Sequence, residues 1–302
     1  MISAGRESSG QTGLDQILAF TLRERNVRGR LVRLGPVLDA ILSAHDYPEP
    51  IRHLMSEALV LTALMGSLPK ETESQLTFQI QAEGGLVDLL VCDFRMGEVR
   101  GYVRHDPERL AGIGANPPLK TLFGEGYLVV TFDLASTDER YQGIVNLEGG
   151  TLSEACEAYF SRSEQVPTLL RVGVRREGAR SVASGLFLQH FPEGEESGAR
   201  LDSETDDPEW EHVSVIASGI RHDELVDPAL SLEELVWRLF HAEGEIRVEP
   251  ISPLSRGCRC TNEHYENVLM RFAESERVSM RDEDGRIPVD CAFCSKIFRI
   301  EV

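Results

Sequence analysis

Two cysteine pairs near the carboxyl end are the residues of this chain best suited to chemistry. Four of the six cysteines lie in the last 45 residues, as the CxC pair Cys258 and Cys260 and the CxxC pair Cys291 and Cys294. Four thiolates in two short chelates suit one tetrahedral zinc ion. Closing the loop between the pairs costs on the order of 4 kcal/mol, whereas zinc binding to such a set supplies roughly 10 to 16 kcal/mol. The spacing therefore predicts a zinc site that folds the tail.

Other roles for these and the remaining candidate ligands are weaker. Two structural disulfides are the alternative. We expect the polar start MISAGRESSGQTG to be a disordered tail rather than an export signal, and cytosolic thiols stay reduced. A disulfide within a CxC pair is strained and labile, which suits a regulatory bond. His264 could replace one thiolate, although four cysteines already fill a zinc site. Cys92 and Cys156 lie in apolar segments and are predicted to be buried rather than redox-active.

Composition and charge limit the class of protein. The chain has 302 residues, 41% hydrophobic and 27% charged, as expected of an ordinary globular protein. We expect a cytoplasmic protein with no membrane segment, because no apolar run approaches about 18 residues. The net charge of −19 argues against a nucleic-acid partner. Residues 193–211 carry nine acids and one base, which is typical of a solvated segment.

The hydrophobic pattern predicts an α+β fold in four parts. Residues 1–14 are a predicted disordered tail, and residues 15–192 form a core domain in which antiparallel strands meander and helices are segregated. Residues 193–254 form an acidic stretch and a helical linker, and residues 255–302 form the zinc-binding domain. Strands are predicted near residues 17–22, 27–34, 76–80, 86–94, 99–104, 127–134, 141–146, 169–174 and 182–189, and helices near residues 34–42, 50–66 and 151–162.

The linker contains a clear amphipathic helix. Ser231 and Glu234 form a capping-box pattern, and apolar side chains recur at helical spacing at Leu232, Leu235, Val236, Leu239 and Phe240. A second short helix is predicted near residues 208–217. These helices are too short to bury a core of their own, so they must pack on the core domain and could detach at modest cost. We expect Trp210 and Trp237 to anchor them.

Two classes of function remain open on the residues alone. Walker A, GxSxG and dinucleotide-binding patterns do not occur in the sequence, so a nucleotide-driven or hydrolytic enzyme is not indicated. An enzyme with a zinc ribbon, or a thiol-disulfide oxidoreductase using Cys291 and Cys294, is the alternative. A redox CxxC usually opens a helix, whereas alternating residues flank this one. That pattern favours a zinc knuckle between two strands.

Several segments resemble the redox-regulated holdase chaperones of the heat shock protein 33 family, the 33-kilodalton chaperonins. The CxC pair, about thirty residues and then CxxC are that family's signature. Further similar segments are LVRLGPVL at 31–38, HDYPEP at 45–50, GYVR at 101–104, YFSRSEQVP at 159–167 and RLFH at 238–241. The resemblance covers residues 17–302.

The resemblance implies a chaperone rather than an enzyme, with a core domain, a metastable linker and a zinc domain. The reduced, zinc-bound form is expected to be inactive. By this resemblance, oxidants such as hypochlorous acid are expected to convert the thiols to disulfides Cys258–Cys260 and Cys291–Cys294, with loss of zinc and unfolding of the linker. The oxidised protein is then expected to bind unfolding client proteins, as a homodimer and without ATP. The chemistry of the four thiols is consistent with such a switch. Disulfide formation removes the zinc ligands, and with them the free energy that zinc binding contributes to folding of the tail.

Overall fold

Two six-stranded β-sheets face each other across a buried helix. A computed structural model of the chain describes residues 13–69, 73–110, 112–114, 116–135, 137, 139–191 and 207–302. Residues 1–12 of the predicted tail and most of the acidic stretch lie outside the described residues. The architecture confirms the predicted α+β class.

The first sheet joins segments from both ends of the core domain to a late part of the chain. Its order is β10-β1-β2-β9-β8, with β11 also paired to β1, and all its pairs are antiparallel. Its strands are β1 Gln16–Leu22, β2 Val27–Leu34, β8 Thr168–Glu177, β9 Arg180–His190, β10 Ile246–Val248 and β11 Ser252–Pro253.

The second sheet has the order β12-β5-β4-β3-β6-β7. Its strands are β3 Gln75–Gly84, β4 Val87–Arg95, β5 Glu98–His105, β6 Gly124–Leu134, β7 Glu139–Asn146 and β12 Ser255–Arg256. The meander predicted for the core does not run on in simple order from β5 to β6. The chain returns across the sheet, so β6 pairs with β3. Among the described strands of this sheet, β12 alone runs parallel to its neighbour.

Helices fill the space between the sheets. They are α1 Pro36–Leu42, α2 Glu49–Gly66, α3 Leu119–Phe123 and α4 Leu152–Tyr159, which continues into a π-helical turn, Phe160–Glu164. Helix α2 is apolar around most of its circumference and buried along most of its length, as its sequence predicted. In β3 the alternation is equally clear, since Leu76, Phe78 and Ile80 face this core. The short helix α3 was not predicted.

The outer face of the first sheet is covered by the linker. The linker helices are α5 Pro208–Ser218, α6 His222–Leu225 and α7 Leu232–Phe240. Residues Leu232, Leu235, Val236 and Phe240 form a second apolar cluster with strands β1, β2, β8 and β9. Gly29 of β2 lies under the ring of Phe20, and a Cβ there would come within 2.1 Å of that ring. The predicted packing of the linker on the core is thus confirmed.

A fully buried arginine also ties the linker to the sheet. Arg33 of β2 is 0% exposed. Its Nε and Nη2 donate to the carbonyl of Leu225 at 3.3 and 3.1 Å, and Nη1 donates to the carbonyl of Leu230. Burial lowers the pKa of Arg33 to about 10. Because the linker supplies these carbonyl acceptors, the buried charge is matched only while α6 and the following loop are docked.

We expect Arg33→Met to loosen the linker by about 2–4 kcal/mol, since two buried carbonyls lose charge-assisted hydrogen bonds. Limited proteolysis of the reduced protein should then cut within residues 207–245 faster, at an unchanged rate elsewhere. Arg30→Met is the matched control, because Arg30 lies on the other face of β2 and donates to Gly29 of its own strand at 2.9 Å. Equal cleavage of the two variants would contradict the role of Arg33.

Candidate metal and redox site

The four cysteines of the tail come from two different local structures. Cys258 and Cys260 follow β12 directly. Cys291 and Cys294 lie in the turn between β13 Ile287–Asp290 and β14 Ile297–Ile300. The turn is closed by the Cys294 N–H and the Ser295 N–H, which donate to the Cys291 carbonyl at 3.2 and 2.8 Å. The predicted position of the CxxC pair between two strands is confirmed.

The fold brings all four sulfurs together. The Sγ atoms lie within 4.8 Å of one another. Cys258 Sγ is 3.2 Å from Cys260 Sγ and 3.6 Å from Cys291 Sγ, and Cys260 Sγ is 3.5 Å from Cys294 Sγ. Four sulfurs about 2.3 Å from one zinc ion would form a tetrahedron with edges of about 3.8 Å. The donor set and its dimensions therefore fit such an ion.

His264 does not belong to this group of ligand atoms. It is exposed on α8 Asn262–Leu269, where its backbone N–H donates to Thr261 Oγ1 at 3.1 Å and thereby helps to cap the helix. Among the described residues, four thiols form the one group of at least three clustered metal-binding side chains.

The thiols differ in how easily they ionise. Burial disfavours the Cys291 thiolate, but hydrogen bonds from Tyr265 and from the backbone N–H groups of Phe293 and Cys294 outweigh burial and lower the Cys291 pKa to about 7. Burial raises the pKa of both Cys260 and Cys294. The thiolate is the form that binds metals and reacts with oxidants, and the hydrogen bonds to Cys291 favour that form at this position.

Little apolar surface holds the tail together apart from the cysteines. Its buried cluster consists of Leu269, Ile287, Cys291, Phe298 and Ile300. Helix α8 and the six-residue α9 Glu274–Ser279 are mostly exposed. A unit of this size usually needs a metal or disulfides to fold. The four thiols that converge at the centre of the tail could serve as the ligands of such a metal ion.

The tail also contacts the second sheet of the core. Phe293, inside the CxxC turn, lies 5.1 Å from the Tyr102 ring, edge to face, and the Arg100 guanidinium stacks on Phe293 at 4.0 Å. Arg259, between the first two cysteines, donates to Gln75 Oε1. Side chains adjacent to three of the cysteines therefore depend on the cysteine turns for their positions against the sheet.

The two remaining cysteines are buried in the core, as predicted. Cys92 on β4 lies 3.6 Å from Met55 Sδ, and Cys156 lies on α4. Burial raises the pKa of both thiols well above the usual range. Both positions therefore suit small apolar side chains and provide matched control sites outside the tail.

The prediction for the two tryptophans is half wrong. Trp210 packs against the linker cluster and stacks on His190, with 6.0 Å between ring centroids. Trp237 is 64% exposed and contacts His241 of its own helix. It follows Val236 on α7 and points away from the apolar stripe, so it does not anchor the linker.

Linker release should therefore be visible in the emission of Trp210. We expect Trp237→Phe to keep a red shift of tryptophan emission when the linker detaches, because Trp210 then leaves an apolar contact for water. Trp210→Phe should lose most of that shift. The measurement is steady-state fluorescence across a mild urea titration; a shift carried by Trp237 alone would mean that α5 stays docked.

The sequence was compared with known protein families and with known relatives. A family model described as Hsp33 protein matches residues 15–301. The chain belongs to the Hsp33 family. The 33 kDa chaperonin of Caulobacter vibrioides is 38% identical over 294 residues, 95% of each chain. That of Shigella boydii is 34% identical over 280 residues, 93% of this chain and 90% of the relative.

A solved structure agrees with the Hsp33 fold. The crystal structure of the 33 kDa chaperonin from Thermotoga maritima covers 95% of both chains with a TM-score of 0.78 and 21% identity. As an Hsp33 family member this chain is a chaperone, and unfolded client proteins are the partners that such a role implies. Within the described part of this Hsp33 chain, no helix combines the length and apolarity needed to cross a membrane.

Proposed function

We propose that this chain is an ATP-independent holdase switched by oxidation of Cys258, Cys260, Cys291 and Cys294. One observation carries the proposal: the four thiols converge in a tail with a small apolar cluster, and this tail continues directly from the linker that covers an apolar face of the core. Zinc, when bound, supplies charge and cross-links that hold the thiolates together. The reduced form is then folded and inactive.

Oxidation removes that support. Two thiolates and one hypochlorous acid give one disulfide, chloride and hydroxide, so two equivalents of oxidant convert all four thiols. We assign the disulfides as Cys258–Cys260 and Cys291–Cys294, which follow the two sequence pairs. A disulfide sulfur is a poor ligand, so the tail loses its metal and its fold. The linker loses its neighbour, and the apolar face under α5 to α7 becomes available to clients.

Each part of the chain has its own role. Residues 1–14 are a tail, residues 15–192 a client-binding core, residues 193–254 a metastable linker and residues 255–302 a redox switch. The oxidised form is a homodimer, and the protein is cytoplasmic. Nucleic acid and membranes are not partners, in keeping with a net charge of −19. No enzymatic step is required of any residue.

Light scattering from a chemically unfolded client tests this function. The full chain is added without ATP, either reduced and zinc-loaded or treated with hypochlorous acid. Suppression of aggregation by the oxidised form alone supports the switch. Cys156→Ala, which changes a buried thiol outside the tail, should behave like the parent protein. Equal suppression by the reduced and oxidised forms would refute redox control while leaving the chaperone assignment in place.

A further inference from the structure

One extended segment covers the edges of both sheets. We call residues 245–257 the strap. It begins at the end of the linker after α7 and follows β1 of the first sheet as β10 and β11. It then crosses to β5 of the second sheet as β12 and ends beside Cys258. Among the described residues, β1 pairs with β2 on one side and with the strap on the other. Strand β5 likewise lies between β4 and the strap.

Backbone hydrogen bonds hold the strap along this path. The N–H of Glu249 donates to the Ala19 carbonyl at 2.9 Å, and the N–H of Leu254 donates to the Asp15 carbonyl at 2.8 Å. On the second sheet, the N–H groups of Ser255 and Gly257 donate to the carbonyls of Gly97 and Val99 at 2.9 and 3.0 Å. The strap therefore occupies hydrogen-bonding groups on two strands that would otherwise be sheet edges.

Few side chains of the strap are held by the core. Leu254 is buried in the main core, and Ile246 and Ile251 pack partly against the linker cluster. Most of the others, including Arg247, Val248 and Glu249, are exposed. The strap is bound chiefly through its backbone, which is a mode of recognition that tolerates many sequences.

The strap is also easily lost. Its three strands have two or three residues each, and Pro250 and Pro253 cannot donate backbone hydrogen bonds. Its carboxyl end leads directly into the cysteine site, so unfolding of the tail removes one of its anchors. Free strand edges bind other extended chains readily, and folded proteins normally cover them.

We propose that the β1 edge, once the strap has left, binds an extended segment of the unfolded client by strand addition, and that the β5 edge extends this surface. This inference rests on the proposed redox switch for the step that frees the strap. The ligand is an unfolded polypeptide with a few apolar side chains spaced several residues apart, as the strap has at Ile246, Ile251 and Leu254. Recognition of the backbone gives a holdase its breadth of clients.

A peptide that copies residues 244–257 tests the proposal against a chemically matched control. The control has the same side chains but carries N-methyl groups at Glu249, Leu254, Ser255 and Gly257, which abolish the four donors described above. Each peptide is labelled, and its binding to the full chain is measured by fluorescence anisotropy in the reduced and oxidised states. We expect the unmodified peptide to bind the oxidised protein at least tenfold more tightly than the reduced protein, and N-methylation to remove this gain.

Competition with a client completes the test. Excess unmodified peptide should restore client aggregation in the presence of the oxidised protein, and the methylated peptide should not. If the oxidised protein suppresses aggregation but the unmodified peptide neither binds nor competes, the β1 edge is not the client site. Strand addition is then refuted, while the proposed holdase function stands. If the oxidised protein shows no holdase activity, the proposed function fails, while the binding measurement still decides whether the edge opens.

Occupation by a second copy is the competing outcome. Hydrogen exchange of β1, and of the Arg23 amide just after it that donates to the Glu245 carbonyl at 3.3 Å, reports the state of the edge. Protection that is lost on oxidation and regained on client binding supports strand addition. Protection that returns with dimer formation before client is added would overturn strand addition of the client, if the strap of one chain also cross-links to β1 of another.

Discussion

Replacing Cys291 with serine should cost the reduced protein its zinc and the fold of its tail. Cys291 is the most buried of the four tail cysteines, and hydrogen bonds from Tyr265 and from the backbone N–H groups of Phe293 and Cys294 favour its thiolate. A serine hydroxyl stays protonated near pH 7 and binds zinc poorly. Since zinc binding supplies roughly 10 to 16 kcal/mol to such sites, we expect occupancy to fall from about one ion per chain to under about a tenth.

Metal content is measured by native mass spectrometry and by release to a colorimetric chelator. The tail should also become sensitive to protease between residues 258 and 302, while the core keeps its thermal transition. Cys156→Ala is the matched control, because it removes a cysteine of the core and should keep full occupancy. A Cys291→Ser protein that still binds one zinc with unchanged tail protection would show that the four thiols are not the ligand set.

The same variant separates metal loss from disulfide formation. If zinc release alone frees the linker, reduced Cys291→Ser should suppress client aggregation without oxidant. If formation of both disulfides is needed, it should stay inactive until a different perturbation detaches the linker. Either result leaves the zinc prediction intact, because that rests on occupancy.

Local patterns predicted the cysteine site and most of the fold. Period-two alternation in β3 and the helical spacing in α7 place one apolar face inward, and the structure follows both. Spacing of CxC and CxxC within a short tail is equally local, so the approach of the four sulfurs could be expected. The prediction for Trp237 failed because residue type was given more weight than helical position.

Long-range pairing could not be predicted in the same way. The strap pairs with β1 and β5 across more than 150 residues, its strands are too short to show alternation, and two prolines argue locally against a strand. The return of β6 to β3 likewise depends on the whole sheet rather than on the segment. Arg33 shares a face with Leu31 by alternation, but the carbonyls that match its charge come from the linker, about 190 residues away.

Phe240→Ala should activate the reduced, zinc-loaded protein. Phe240 is fully buried at the end of α7, and its ring centroid lies 5.8 Å from that of Phe20 on β1. Truncating a buried phenylalanine costs about 3–5 kcal/mol. Because the linker packs on the outer face of the first sheet rather than in the main core, this loss should fall on linker docking and increase the detached population about a hundredfold or more. The measurement is suppression of client aggregation under reducing conditions with zinc present.

Trp237→Ala provides a control on the same helix. It removes a larger side chain that is 64% exposed, so linker docking and the inactive state should persist. Zinc content and the core thermal transition must match the parent in both variants, which excludes general unfolding as the cause of activity. If Phe240→Ala detaches the linker, as shown by faster proteolysis of residues 207–245, yet stays inactive until oxidised, then uncovering the first sheet is insufficient. Client capture would then require release of the strap, which remains fixed to β5 and to the cysteine site as long as the tail is folded.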